Sequence, residues 1–213
     1  VDPRRNLPTF APETFRTWAQ REGMIASAPQ MAGADHPVAL FVDSFTDHFS
    51  PHVGRATVAL LREAGFSPFV PAEALCCGLT LISTGQLDAA KSTLETAARV
   101  LAPATHAGIP VLGMEPSCTA ALRHDLPRLV DSAAARTVST NVRTVAELLG
   151  TAIDEGRWSA PDLTGTEVVA QPHCHQHAVM SWSADETLLA RTGATVTRLG
   201  GCCGLAGNFG VEL

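Results

Sequence analysis

Four of the six cysteines in this chain stand in two adjacent pairs, Cys76-Cys77-Gly78 and Cys202-Cys203-Gly204. Each pair follows the same kind of segment. Ala59-Leu60-Leu61-Arg62-Glu63-Ala64-Gly65, then Phe69-Val70, leads into the first; Thr187-Leu188-Leu189-Ala190-Arg191-Thr192-Gly193, then Val196-Thr197, leads into the second. The repeated unit reads as helix, glycine stop, short strand and thiol loop. Self-similarity of this kind marks a repeated structural unit. A duplicated thiol loop points to a paired metal or redox site.

The other two cysteines obey the same rule. Cys118 lies in Glu115-Pro116-Ser117-Cys118 after the apolar Val111-Leu112-Gly113, and Cys174 lies in His173-Cys174-His175-Gln176 after Val168-Val169-Ala170. All six thiols thus follow short apolar strands. In open α/β sheets ligands gather at the carboxyl ends of the strands. Neighbouring cysteines cannot bridge to each other without strain, and disulfide-stapled folds are usually much smaller. The thiols are therefore expected to be reduced, in the cytoplasm, and reserved for metal or redox chemistry.

For the chain as a whole, 46% hydrophobic residues suffice for one substantial core, or for two small pseudo-repeats sharing one. A formal charge of -6, with one lysine (Lys91) against fourteen dispersed arginines, argues against a nucleic-acid binder, which needs a basic face. No apolar run reaches the roughly 20 residues that span a bilayer. No charged-then-apolar leader opens the chain, and a start at Val1 reads as a piece of a longer protein.

Residues 1–35 read as a linker with a short amphipathic helix, in which Phe15 and Trp18 share a face suited to docking on another surface. A first half, 36–158, begins with the buried strand Val38–Val42. Its further expected elements are a helix Pro51–Glu63, a strand Ser67–Val70, a helix Leu87–Ala102, a strand Val111–Gly113, and helices Cys118–Arg123 and Asn141–Asp154. Ser159–Gly165 reads as a loop between halves. A second half, 166–213, repeats strand, helix (Ala184–Arg191), strand (Thr195–Leu199) and thiol loop. The expected fold class is α/β, with two pseudo-repeated Rossmann-like halves, parallel sheets, and the second half incomplete at its C-terminus.

Glu115-Pro116-Ser117-Cys118, His173-Cys174-His175-Gln176 and Gly201-Cys202-Cys203-Gly204-Leu205-Ala206-Gly207-Asn208-Phe209-Gly210, with Phe41-Val42-Asp43 and Val53-Gly54-Arg55, resemble the cysteine-rich CCG domain. That domain is named for its Cys-Cys-Gly signature and occurs in a heterodisulfide reductase subunit, the iron–sulfur subunit of glycolate oxidase and anaerobic glycerol-3-phosphate dehydrogenase. The likeness is strongest to the C-terminal region of bacterial FAD-linked oxidases of the D-lactate and glycolate type. The chain departs from the full pattern: Ser44 stands for the first Cys, Glu115 for the first Cys of the C-x-x-C pair, and the second half lacks its final Cys.

The resemblance implies an iron–sulfur cluster, of the 4Fe-4S type, held by Cys76, Cys77, Cys118, Cys174, Cys202 and Cys203. It implies electron transfer to a quinone or another acceptor after oxidation of a 2-hydroxy acid at FAD elsewhere in the parent protein. Flavin and ferredoxin-like domains are then the expected partners, and the location cytoplasmic, peripheral to the inner membrane. Two alternatives stand beside it: a thiol or heterodisulfide reductase module, and a zinc-stabilised docking domain using four thiols, or thiols with His173, His175 or His177. Gly78 and Gly204 let backbone approach closely, and their N–H groups suit donation to sulfur. Helix starts after each loop are expected to favour thiolate. Glu115 reads equally as a helix cap or as a ligand stand-in. Ser44, His173 and His175 are candidates for orienting a ligand or relaying protons, and His177 for simple hydrogen bonding.

Overall fold

The computed structural model describes residues 9–201; Cys202, Cys203 and Gly204 lie outside them. The chain runs through helix α1 (Phe15–Arg21), strand β1 (Pro37–Phe41), α2 (Ser44–His48), α3 (Pro51–Glu63), β2 (Ser67–Phe69), α4 (Leu79–Ser83), α5 (Leu87–His106) and β3 (Val111–Gly113). It continues through α6 (Pro116–Ala120), α7 (Leu126–Leu129), α8 (Ala133–Asn141), β4 (Val142–Arg143), α9 (Val145–Asp154), β5 (Glu167–Ala170), α10 (Cys174–Val179), α11 (Ser183–Arg191) and β6 (Thr195–Arg198). The fold is α/β with parallel strands, as expected. One sheet has the order β2-β1-β3-β4, and β5 pairs with β6 in a separate two-stranded sheet.

Side chains alternate across a strand, and this decides which helix each residue meets. Ala39 and Phe41 of β1 join Val111, Leu94, Leu101 and Val138 on the α5 and α8 side. Val38, Leu40 and Val42 join Leu112, Phe15, Val58, Leu61 and Leu149 on the α1, α3 and α9 side. Buried on both faces, β1 has the continuous apolar run of a central parallel strand.

Residues 15–31 differ from the linker expectation. Phe15 is fully buried, Ala19 and Met24 share its cluster, and Ile25 bridges Val70 in parallel, so the segment extends the sheet beyond β2. The reason lies in Gly54 of α3, whose missing side chain leaves room for the Phe15 ring: a Cβ there would sit 2.5 Å from Phe15 Cδ2. The docking face was internal.

Two helix boundaries also differ. α5 runs past Pro103 to His106 because Ala104 and Thr105 are buried and hold the last turn against the core. The stretch expected as one helix, Asn141–Asp154, is the last residue of α8, the two-residue β4 and then α9. Thr144 accepts from the Glu147 N–H at 3.2 Å while the Glu147 carboxylate accepts from the Thr144 N–H at 2.9 Å, a capping box that starts a new helix.

The second unit is thin. β5 and β6 expose much of their surface, Val169 to 68%, and two strands alone are marginal in water. Its position depends on docking contacts: Leu188 of α11 packs against the first unit's core, and Arg191 pairs with Asp154 at 2.8 Å.

Candidate metal or redox centre

The strand order places β1 between β2 and β3, so the chain leaves β1 toward one neighbour and later returns on the other side. The crevice at such a switch point lies at the carboxyl ends of β1 and β3. Asp43 closes β1 there, and Glu115 follows β3. Cys76-Cys77-Gly78 ends the loop after β2, just before α4. Thiol loops from two different crossovers therefore meet at one edge.

They meet at sulfur. Cys77 Sγ and Cys118 Sγ are 2.9 Å apart, 41 positions apart in sequence. Cys77 is only 5% exposed, Cys118 is half-buried, and Cys76 is exposed. Gly78 takes the left-handed conformation, φ +71°, which turns the chain into α4 and aims its N–H at Cys76 Sγ, 3.4 Å away. An L side chain would strain that turn.

Glu115 caps α6: its Oε2 accepts from the Cys118 N–H at 2.6 Å and its Oε1 from Ser117 Oγ at 2.9 Å. Of the two readings of Glu115, the capping one describes its contacts. β3 ends on Gly113 because a Cβ there would collide with the Thr119 side chain, which donates to Glu115 O at 2.7 Å. Asp43, 2% exposed, accepts from the Thr46 N–H at 2.9 Å and from Thr46 Oγ1 at 2.6 Å.

The electrostatics oppose the expected thiolates. Hydrogen bonding with Cys118 pushes the Cys77 thiol up; a bond with Cys76 works the other way, and burial brings it to about 12. Cys76 is driven up by hydrogen bonding with Cys77 and then by burial. At Cys118 the bond from Cys77 pulls the thiol down, but burial and the negative charges of Glu115 and Asp43 outweigh it. The five-residue α4 and α6 are too short to reverse this. Sulfur atoms crowded beside carboxylates stay protonated until a cation takes up their charge. That is the donor chemistry a thiophilic metal centre requires.

The second unit brings His173 and Cys174 to the same place. α10 packs on α6, and His173 Nε2 is 3.2 Å from Ser117 Oγ. Cys174, the first residue of α10, is exposed. His175 is half-buried, Ser44 lies exposed at the start of α2, and His177 stands against the Arg198 guanidinium at 3.3 Å. Among the described residues no group of three or more His, Cys, Asp or Glu side chains is arranged to hold a metal ion. The described part supplies a sulfur pair of the right type. Sequence reasoning missed Asp43 and Ser117. Asp43-x-x-Thr46, a cap pattern directly after an apolar strand, was the available signal for the first.

A parallel sheet with thiol loops at its carboxyl edge defines a cysteine-rich α/β domain. Residues 38–123 match the model of the CCG family, the cysteine-rich domain. The chain is 30% identical to an anaerobic glycerol-3-phosphate dehydrogenase subunit of Escherichia coli, over all of this chain and 53% of that protein. It is 31% identical to a fumarate reductase (CoM/CoB) subunit of Methanothermobacter marburgensis, over 73% of this chain and 29% of that one. With lactate utilization protein A of Bacillus velezensis it shares 26% identity over 83% of this chain and 75% of that one. The first two are by name oxidoreductase subunits, and the chain spans about half the length of the first. No solved structure matches it significantly.

Proposed function

We propose that this chain is the iron–sulfur electron-transfer part of an oxidoreductase. Its cluster, of the 4Fe-4S type, is held by thiols drawn from Cys76, Cys77, Cys118, Cys174, Cys202 and Cys203. The observation that carries the reading is the 2.9 Å contact between Cys77 and Cys118 sulfurs on separate loops at the switch-point edge. Likeness to dehydrogenase and reductase subunits supports it.

When bound, such a cluster accepts and releases single electrons, at a potential set by charge, hydrogen bonding and exposure. The residues of this chain supply those settings. Burial of Cys77 limits water at the sulfur, and the Gly78 N–H donates to Cys76 Sγ. Asp43 and Glu115 add negative charge beside Cys118, which disfavours a further electron.

Oxidation of a 2-hydroxy acid such as D-lactate or glycolate then belongs to a flavin partner, with a ferredoxin-like domain between and a quinone or other acceptor beyond. The similarity to lactate utilization protein A supports that substrate class. No helix among the described residues is long and apolar enough to cross a membrane, compatible with a cytoplasmic part attached peripherally.

Close thiols also suit a dithiol–disulfide reductase. Their upward shifts argue against it, since the thiolate is the attacking species. The test is iron and sulfide content after anaerobic reconstitution of wild type, Cys77→Ser, Cys118→Ser and Cys174→Ser. Each substitution is expected to lower iron retention. Iron content indifferent to all three would remove these ligands.

A further inference from the structure

A hydrogen-bonded chain outside the sulfurs joins the two units. Ser117 Oγ has one hydrogen, and it goes to Glu115 Oε1 at 2.9 Å. The 3.2 Å contact to His173 Nε2 therefore has the ring as donor and Ser117 Oγ as acceptor. Glu115 is itself fixed by accepting from the Cys118 N–H at 2.6 Å. His173 immediately precedes Cys174 and occupies the N-cap position of α10. Its Nδ1 is buried without a partner among the described residues. The chain thus runs from the backbone of one thiol loop to the residue next to the other.

From behind, α10 is anchored through Gln176 Nε2, which donates to Asp185 Oδ2 of α11 at 2.7 Å. From the front, the Ser117–His173 bond is its polar tie to α6. A two-stranded unit has little core to define its own placement, so such ties set where Cys174 stands.

We propose that Glu115, Ser117 and His173 form a positioning clasp that holds the Cys174 loop against the Cys77–Cys118 edge, so that thiols of both units serve one centre. The clasp rests on the cluster reading for its purpose, but its existence is testable without metal. The ring N–H, aimed by Ser117 and Glu115, fixes the direction of His173 and with it the start of α10.

The experiment is a double-substitution cycle of Ser117→Ala and His173→Ala in the reduced, metal-free protein, read by hydrogen exchange of the α10 amides. Each single change is expected to speed exchange about 5-fold, the effect of one ordinary hydrogen bond. The pair should do no more than either alone, and His173→Gln, whose side-chain amide also donates, should restore most protection. Additive effects, or none, would overturn the clasp. In reconstituted protein, Ser117→Ala is expected to shift the electron-spin signature and weaken iron retention while His173→Gln stays near wild type. An unaltered spectrum and iron content in Ser117→Ala would overturn the positioning role. Wild type that binds no iron, with the exchange coupling intact, would remove the cluster and leave the clasp as a structural tie.

Discussion

Gly54→Ala should destabilise this protein, and its sign separates two pictures of the N-terminal segment. On an exposed helix the change is favourable by about 1 kcal/mol, because glycine is the poorer helix former. Here the new methyl would lie 2.5 Å from Phe15 Cδ2, 2.7 Å from Phe15 Cε2 and 3.0 Å from Thr46 Cγ2. Thr46 is tied by two hydrogen bonds to Asp43, so it cannot retreat freely. Overpacking of this kind costs about 1–3 kcal/mol, and expelling the Phe15 ring instead forfeits about 2–3 kcal/mol of burial. Contacts this short put the overpacking at about 2–3 kcal/mol, so the net loss is about 1–2 kcal/mol, or a Tm lower by roughly 2–8 °C at this chain length. Phe15→Leu should lessen the penalty in Gly54→Ala while costing stability alone. Thermal unfolding of the reduced, metal-free protein is the assay. A higher Tm for Gly54→Ala would show that α1 does not dock on α3.

The half-buried Asp185 titrates above the ordinary aspartate range because its partial burial outweighs the hydrogen bond from Gln176. The folded state therefore holds its proton more tightly than the unfolded one, and this group makes stability fall as pH rises from the ordinary value of 3.8 through the raised one. Asp185→Asn, which keeps the acceptor, should be more stable than wild type at neutral pH, with the gap closing at acid pH in urea unfolding. Metal-free protein treated with oxidised glutathione should form a Cys77–Cys118 disulfide with release of two reduced glutathiones. Peptide mapping is expected to find that link, and attack should quicken with pH because the Cys77 thiol lies near 12. Asp43→Asn should lower the Cys118 thiol pKa and raise alkylation there, and raise the centre's midpoint potential by tens of mV, since about 1.4 kcal/mol corresponds to about 59 mV for one electron. Gly113→Ala should lose stability through collision with Thr119.

The strands and the long helices were legible because their apolar residues recur at strand or helix spacing: β1, α3 and β3 lie within a residue of expectation. The resemblance carried the cysteine pattern, and the strand-then-loop rule placed every described thiol at the carboxyl edge. What stayed hidden was decided by partners distant in sequence. Phe15 looked like a docking residue because nothing local says that its surface is Gly54, 39 positions away. Glu147 looked like mid-helix until Thr144 was seen to cap a new start. At the described Cys-Cys-Gly loop the helix-start argument for thiolates fails because sulfur crowding and burial outweigh the short α4. Ser117 had no signal of its own, since its role comes from His173, 56 positions on.

The most direct test of the central claim is electron-spin resonance, with iron and sulfide analysis, on anaerobically reconstituted protein carrying its full thiol set. Convergence of both thiol loops on one cluster predicts a brown protein with a paramagnetic signal in one redox state, altered by Cys118→Ser and by Cys174→Ser alike. A colourless protein with stoichiometric zinc, or a signal that ignores Cys174, would contradict it.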